Sequence, residues 1–165
     1  MTRWIVLALL LPSSALAQDS DVRFAGSQPP DSAAMALAVR YGRVMSGWSS
    51  VAERDSLRSG LVADGYFYQG IDGTPIDLEG MTARQTRNEL RIDERSMYDL
   101  VFHQYENTAL VTYKMWTRGE DKGHPIEGYA SGVTVLTRTP DGWRVAADII
   151  GQDPEPPSDP DSSGS

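Results

Sequence analysis

The sequence predicts an α+β domain: a curved, mostly antiparallel sheet with its helices on one face and a long helix at the N-terminal end. Three observations carry this. Leu37, Tyr41, Val44, Met45 and Trp48 recur at helical spacing and form one apolar stripe. From Met97 to Ile150 the chain reads as four consecutive strands separated by short polar turns. The last two of these strands are joined by Pro140-Asp141-Gly142, a turn tripeptide that folds one strand back on the next.

The elements follow in order. The first helix begins near Asp31 or Ser32, either of which can cap it after Pro29-Pro30, and Gly47 with two serines ends it. Ser50-x-x-Glu53 has the spacing of a capping box and opens a short second helix with Leu57 and Leu61 as its apolar points and Gly60 as its stop. Residues 65–75 give an aromatic strand and then a Gly/Asp/Pro turn. A third helix is expected over roughly 78–91, capped by Asp77. Arg84, Arg87 and Arg91, with Arg95 beyond, alternate there with Glu89, Asp93 and Glu94, which reads as a solvated face of weak ion pairs rather than an anion site. The strands are then 97–104 and 109–118, joined by a turn at 105–108, followed after a loop at 121–125 by 127–139 and 143–150. Two glycines in the third of these suit a bulge or bend.

The ends differ from this core. Residues 1–17 combine Arg3, an apolar run from Ile5 to Leu11 and a small-x-small Ala15-Leu16-Ala17, which is the pattern of a secretory signal peptide. The expectation is export to a bacterial periplasm or the medium, with no membrane attachment after removal of the signal. Residues 18–32 read as a flexible linker, 33–152 as the domain and 153–165 as a disordered acidic Pro/Ser tail. The chain has no cysteine, so disulfides, thiolate metal sites and cysteine nucleophiles are excluded. The net charge of −8 comes largely from the ends: seven of the 23 acids lie in the first 31 or last 13 residues, against Arg3 and Arg23 among the bases. The core has no basic footprint for nucleic acid.

Four segments, "ALAVRYGRVMSGW" (36–48), "LVADGYFYQGIDGTPID" (61–77), "YENTALVTY" (105–113) and "RTPDGWRVAAD" (138–148), taken in this order and spacing, resemble the nuclear transport factor 2-like superfamily in its polyketide-cyclase-like (SnoaL-like) branch. The resemblance covers residues 33–152. It implies a cone-shaped sheet wrapped around the first helix, a pocket at the wide mouth and frequent homodimers. It does not fix function, because this fold hosts isomerases, dehydratases, cyclases and non-catalytic modules. The ketosteroid isomerases among its members use a tyrosine, a carboxylate base and a protonated acid. Tyr41 stands where the tyrosine would be. Gln69 stands where the base would be, and an amide cannot take a proton. The acid's place falls near Thr134 or Val135. One group of three is present, which argues against that activity.

Tyr41, Phe67 and Gln69 are the residues expected to line a ligand pocket. Asp148, with Tyr41, is the candidate for catalysis, and two arguments about it conflict. The resemblance turns it toward the pocket. Strand alternation puts Trp143, Val145, Ala147 and Ile149 on the apolar face and Asp148 on the other, at the surface or an interface. His103 and His124 have no metal-ligand spacing, and neither a metal nor a cofactor is expected. Three readings follow: a binder of a small, mostly apolar ligand; a homodimeric interaction module without an open pocket; and a cofactor-free isomerase, dehydratase or hydrolase.

Overall fold

A computed structural model of the chain describes residues 23–25, 30–46, 60–87 and 89–152. The elements are β1 (Arg23–Ala25), α1 (Ser32–Ser46), β2 (Val62–Gln69), β3 (Pro75–Asp77), α2 (Leu78–Thr86), β4 (Leu90–Gln104), β5 (Thr108–Asp121), β6 (His124–Thr139) and β7 (Gly142–Gln152). The strands form one sheet in the order β1-β4-β5-β6-β7-β2-β3. From β4 to β7 they run as the expected antiparallel meander. Parallel pairings of β1 with β4 and of β2 with β7 make the sheet mixed.

α1 starts where the cap residue predicts. The Asp31 carboxylate accepts the amide of Ala33 at 2.8 Å and that of Ala34 at 3.4 Å. Its buried stripe is Ala34, Leu37, Tyr41, Val44 and Met45. These residues pack on Phe102, Ala109, Val111, Leu136, Trp143 and Val145, so the helix lies against one face of the β4–β7 meander. That face is the inner one. The α1 stripe ends short of Trp48, which lies outside the described residues, as does the expected short second helix before Gly60.

Three expectations need correction. The segment read as a linker contains β1, which adds an edge strand to β4. The third helix ends at Thr86 rather than near 91. Asp77 does cap it, accepting the Gly80 amide at 2.7 Å, but β4 begins at Leu90, seven residues before the expected start. Arg87 and Arg91 therefore bind Glu89 at 2.6 Å and Asp93 at 2.9 Å from a turn and a strand, not from a helix face. Finally, β5 and β6 are joined by a tight turn rather than a loop. Lys122 and Gly123 both have positive φ (50° and 81°), the geometry that matches the twist of a two-residue hairpin.

Candidate site on the inner sheet face

β5 alternates strictly. Ala109, Val111, Tyr113 and Met115 are buried on the inner face while Thr112, Lys114 and Trp116 turn outward. In β6 the inward positions are Leu136, Thr134, Gly132 and Ala130, which lie opposite Ala109, Val111, Tyr113 and Met115. β7 does not alternate. Leu136 pairs with Val145, yet Val135 pairs with Ala147, so β7 carries one extra residue at Ala146. Such a bulge reverses the side-chain parity of everything beyond it. Trp143 and Val145 face inward before the bulge; Asp148 and Ile150 face inward after it.

Asp148 is therefore 1 % exposed, and the alternation argument that put it on the surface is overturned. Its Oδ1 accepts a hydrogen bond from the Tyr113 hydroxyl at 2.8 Å and one from the Thr134 hydroxyl at 2.9 Å. Thr134 is itself 5 % exposed and is the cross-strand partner of Asp148. The resemblance located an isomerase-type acid near Thr134. The carboxylate found beside that position comes from the neighbouring strand instead.

The surroundings are mostly apolar. Along β7, Asp148 lies between Val145 of the main core and Ile150, which packs with Tyr113, Met115 and Ala130 in a second cluster. Tyr68 packs against both clusters and pairs with Asp148 across the parallel β2–β7 ladder. Gly132 leaves room for the Tyr113 ring, which occupies the space where a Cβ would stand. Burial pushes the Tyr113 phenol well above its ordinary value of 10, and the Asp148 charge and hydrogen bond add to the shift. Tyr68 is also raised, first by burial and then by Asp148, against an opposing pull from Arg95 and Arg84. Both phenols are thus neutral donors at neutral pH. The arrangement can anchor a polar atom of a ligand within an apolar face. A desolvated carboxyl held by hydroxyls can also exchange a proton with a bound molecule.

The residues singled out from sequence are dispersed. Tyr41 is buried on α1, its hydroxyl 2.9 Å from that of Tyr66, which in turn donates to Met81 Sδ at 3.9 Å. Phe67 is 36 % exposed and pairs with Ala147 on the outer face. Gln69, two residues on, shares that outer parity and pairs with Pro75 and Ile149. Of the expected set, only Tyr41 and Asp148 face inward. Tyr113 and Thr134 were not anticipated, although the alternation of "ALVTYKMW" already assigns Tyr113 to the buried face of its strand. Among the described residues, no group of three or more His, Asp or Glu side chains converges as a metal site would. Nor is any helix there long and apolar enough to cross a membrane.

No protein-family model and no curated protein matches the sequence. Solved structures do match. A nuclear transport factor 2-like protein of unknown function in nutrient uptake from Rhodospirillum rubrum aligns over 72 % of this chain and 97 % of its own, at 16 % identity and a TM-score of 0.61. A nuclear transport factor 2-like protein from Cytophaga hutchinsonii aligns over 72 % and 94 %, at 12 % identity and a TM-score of 0.59. A ketosteroid isomerase-like protein from Erwinia carotovora atroseptica aligns over 75 % and 95 %, at 12 % identity and a TM-score of 0.55. Identities this low speak for architecture alone: the chain has the nuclear transport factor 2-like fold, a curved mixed sheet with a few helices.

Proposed function

We propose that the protein, after export, binds a small and mostly apolar ligand against the inner face of its sheet, with Asp148, Tyr113 and Thr134 as the polar anchor. One observation carries this reading: a carboxylate 1 % exposed, accepting hydrogen bonds from two hydroxyls, in a mostly apolar face. Ligand sites commonly combine an apolar wall with a few convergent polar groups. The test is thermal unfolding of the chain against a panel of small apolar and amphipathic compounds. A ligand that binds only the folded state raises the midpoint as its concentration rises. The expected result is such a rise, reduced in Thr134→Val and Asp148→Asn. A flat response across the panel refutes the reading.

The same carboxylate favours a second reading, proton transfer on the bound ligand, as in a cofactor-free isomerase or dehydratase. Asp148 would move the proton and the Tyr113 phenol would hold it in place. Asp148→Asn separates the two readings: turnover vanishes while the thermal shift persists if Asp148 is a base or acid. For the outer face the expectation of a homodimer stands as a proposal. Phe67 is exposed there beside the half-buried Ile149 of β7, and sedimentation of Phe67→Ser against the native chain tests it.

A further inference from the structure

Tyr113 and Thr134 give their hydroxyls to Asp148, and Tyr41 and Tyr66 pair theirs with each other at 2.9 Å. One more phenol on the inner face differs from these. Tyr68 follows Tyr66 on the inner parity of β2 and pairs with Asp148 across the β2–β7 ladder. Its ring packs against both core clusters, and Met97 joins it on the second. A Cβ at Gly70 would stand 3.4 Å from Tyr68 Cε1 and 3.6 Å from its hydroxyl oxygen, so the ring runs toward the end of the strand. The Gly73 amide donates to the Gly70 carbonyl at 2.9 Å, which puts the hydroxyl beside the turn between β2 and β3. Among the described residues this hydroxyl makes no hydrogen bond. Tyr41, Tyr66 and Tyr113 are enclosed and paired, whereas Tyr68 is half-buried, so a bound molecule can touch it.

A hydroxyl taken out of water without a partner disfavours folding, and a phenylalanine would pack the same ring without that loss. We propose that Tyr68 is a ligand-binding residue and that its hydroxyl donates to an uncharged oxygen acceptor, a ketone, ester or amide carbonyl, at the polar end of the bound molecule; this rests on the inner-face ligand site proposed for Asp148, Tyr113 and Thr134. The surroundings fit that chemistry. Burial, and then Asp148 against the pull of Arg95, holds the phenol above its ordinary value of 10, so at neutral pH it keeps its proton and is a donor. The charges that act on it are two of each sign, Arg95 and Arg84 against Asp148 and Asp72, so neither an anion nor a cation is singled out. Met97, Met115 and Ile150 lie in the cluster against which Tyr68 packs and offer an apolar wall to the hydrocarbon body of the ligand. A carbonyl on an aromatic or alicyclic body answers both requirements, since it accepts one hydrogen bond and carries no charge to desolvate.

The test compares matched probes on one-, two- and three-ring aromatic bodies, by thermal unfolding and by titration of the folded chain. Each body carries a methyl ketone, an isopropenyl group in which CH₂ replaces the carbonyl oxygen, or a carboxylate. The expected result is tightest binding of the ketone, by about two- to tenfold over the hydrocarbon, the range of one neutral hydrogen bond. In Tyr68→Phe the ketone and the hydrocarbon should bind alike. No ketone preference in the native chain, or a preference that survives in Tyr68→Phe, overturns this inference and leaves the inner-face site standing. Tighter binding of the carboxylate overturns the uncharged acceptor. A flat response to every probe overturns the ligand-binding reading and this inference with it. A second measurement needs no ligand. Tyr68→Phe breaks no hydrogen bond and should melt at or above the native temperature, while Tyr113→Phe, which removes a donor to Asp148, should melt below it. A Tyr68→Phe protein melting several degrees below native shows that the hydroxyl is partnered in the folded chain and overturns the inference.

Discussion

Adding one methyl group tests the packing of the candidate site. A Cβ built on Gly132 would lie 2.5 Å from the Tyr113 hydroxyl oxygen and 2.6 Å from its Cε2, far inside van der Waals contact. Gly132→Ala must therefore displace the Tyr113 ring. That ring is buried, and its hydroxyl donates to Asp148. Forcing a methyl into a filled space destabilises by about 1–3 kcal/mol. Losing a hydrogen bond to a charged group adds about 1.5–3 kcal/mol. Against this, replacing glycine by alanine restricts the unfolded chain and stabilises by about 0.4–1 kcal/mol. The clash wins by a wide margin, so the net loss should be about 2–5 kcal/mol. For a domain of this size that lowers the melting temperature by about 8–20 °C. The assay is thermal and urea unfolding of Gly132→Ala, Tyr113→Val and the double variant. In the Tyr113→Val background the added methyl meets no ring, and Gly132→Ala should cost less than about 0.5 kcal/mol, giving a coupling of several kcal/mol. A Gly132→Ala protein melting within about 2 °C of native, or strictly additive single effects, would refute the placement of Tyr113 over Gly132.

Other predictions rest on the same packing. Asp148→Ala strands two buried hydroxyls and should lower stability by about 1–3 kcal/mol for each, while Asp148→Asn keeps a carbonyl acceptor and should lose less, both read by urea unfolding. Alkaline pH should unfold the protein with a definite sign. The Tyr113 phenol ionises well above 10 when folded and near 10 when unfolded, so its contribution is complete below pH 10 and is lost as pH rises from there toward the folded value. Tyr113→Phe should flatten that loss in a series of urea midpoints between pH 9 and 11. Trp143→Ala, which empties a buried position in the main core, should cost about 3–5 kcal/mol in the same assay.

What was legible in the sequence follows from what periodicity can report. The α1 stripe and the four-strand meander were visible because each repeats over enough residues to stand out. The cap at Asp31 and the turn at Pro140–Gly142 were visible because their chemistry is local. β1 was not, because three residues paired to a distant strand carry no period of their own. The end of α2 was misplaced because charged residues suit a helix face and an exposed strand equally well. The site turned on a single bulge. In "WRVAADII" both Ala146 and Ala147 are apolar, and so are Ile149 and Ile150, so the run fits either parity. Only the pairing of Val145 with Leu136 and of Ala147 with Val135 shows where the parity reverses. The resemblance turned Asp148 inward correctly, and in this chain the extra residue at Ala146 is what does so.

The burial of Asp148 also bears on why it is there. Moving a carboxylate out of water is costly, and hydrophobic residues of similar volume in place of a buried polar cluster are often neutral or stabilising. Stability alone would thus be served at least as well by an apolar side chain at 148, with Val at 134 and Phe at 113. The three positions are packed by Gly132 and flanked by the Val145 and Ile150 clusters, so most of their surroundings would accept apolar side chains. The combined variant Asp148→Leu, Thr134→Val, Tyr113→Phe removes the carboxyl together with the two hydroxyls that donate to it. It should melt at or above the native temperature, unlike Asp148→Ala alone, and should have lost the ligand response. That pair of results would assign the cluster to binding. A triple variant several kcal/mol less stable than native would assign it to holding β5, β6 and β7 in register.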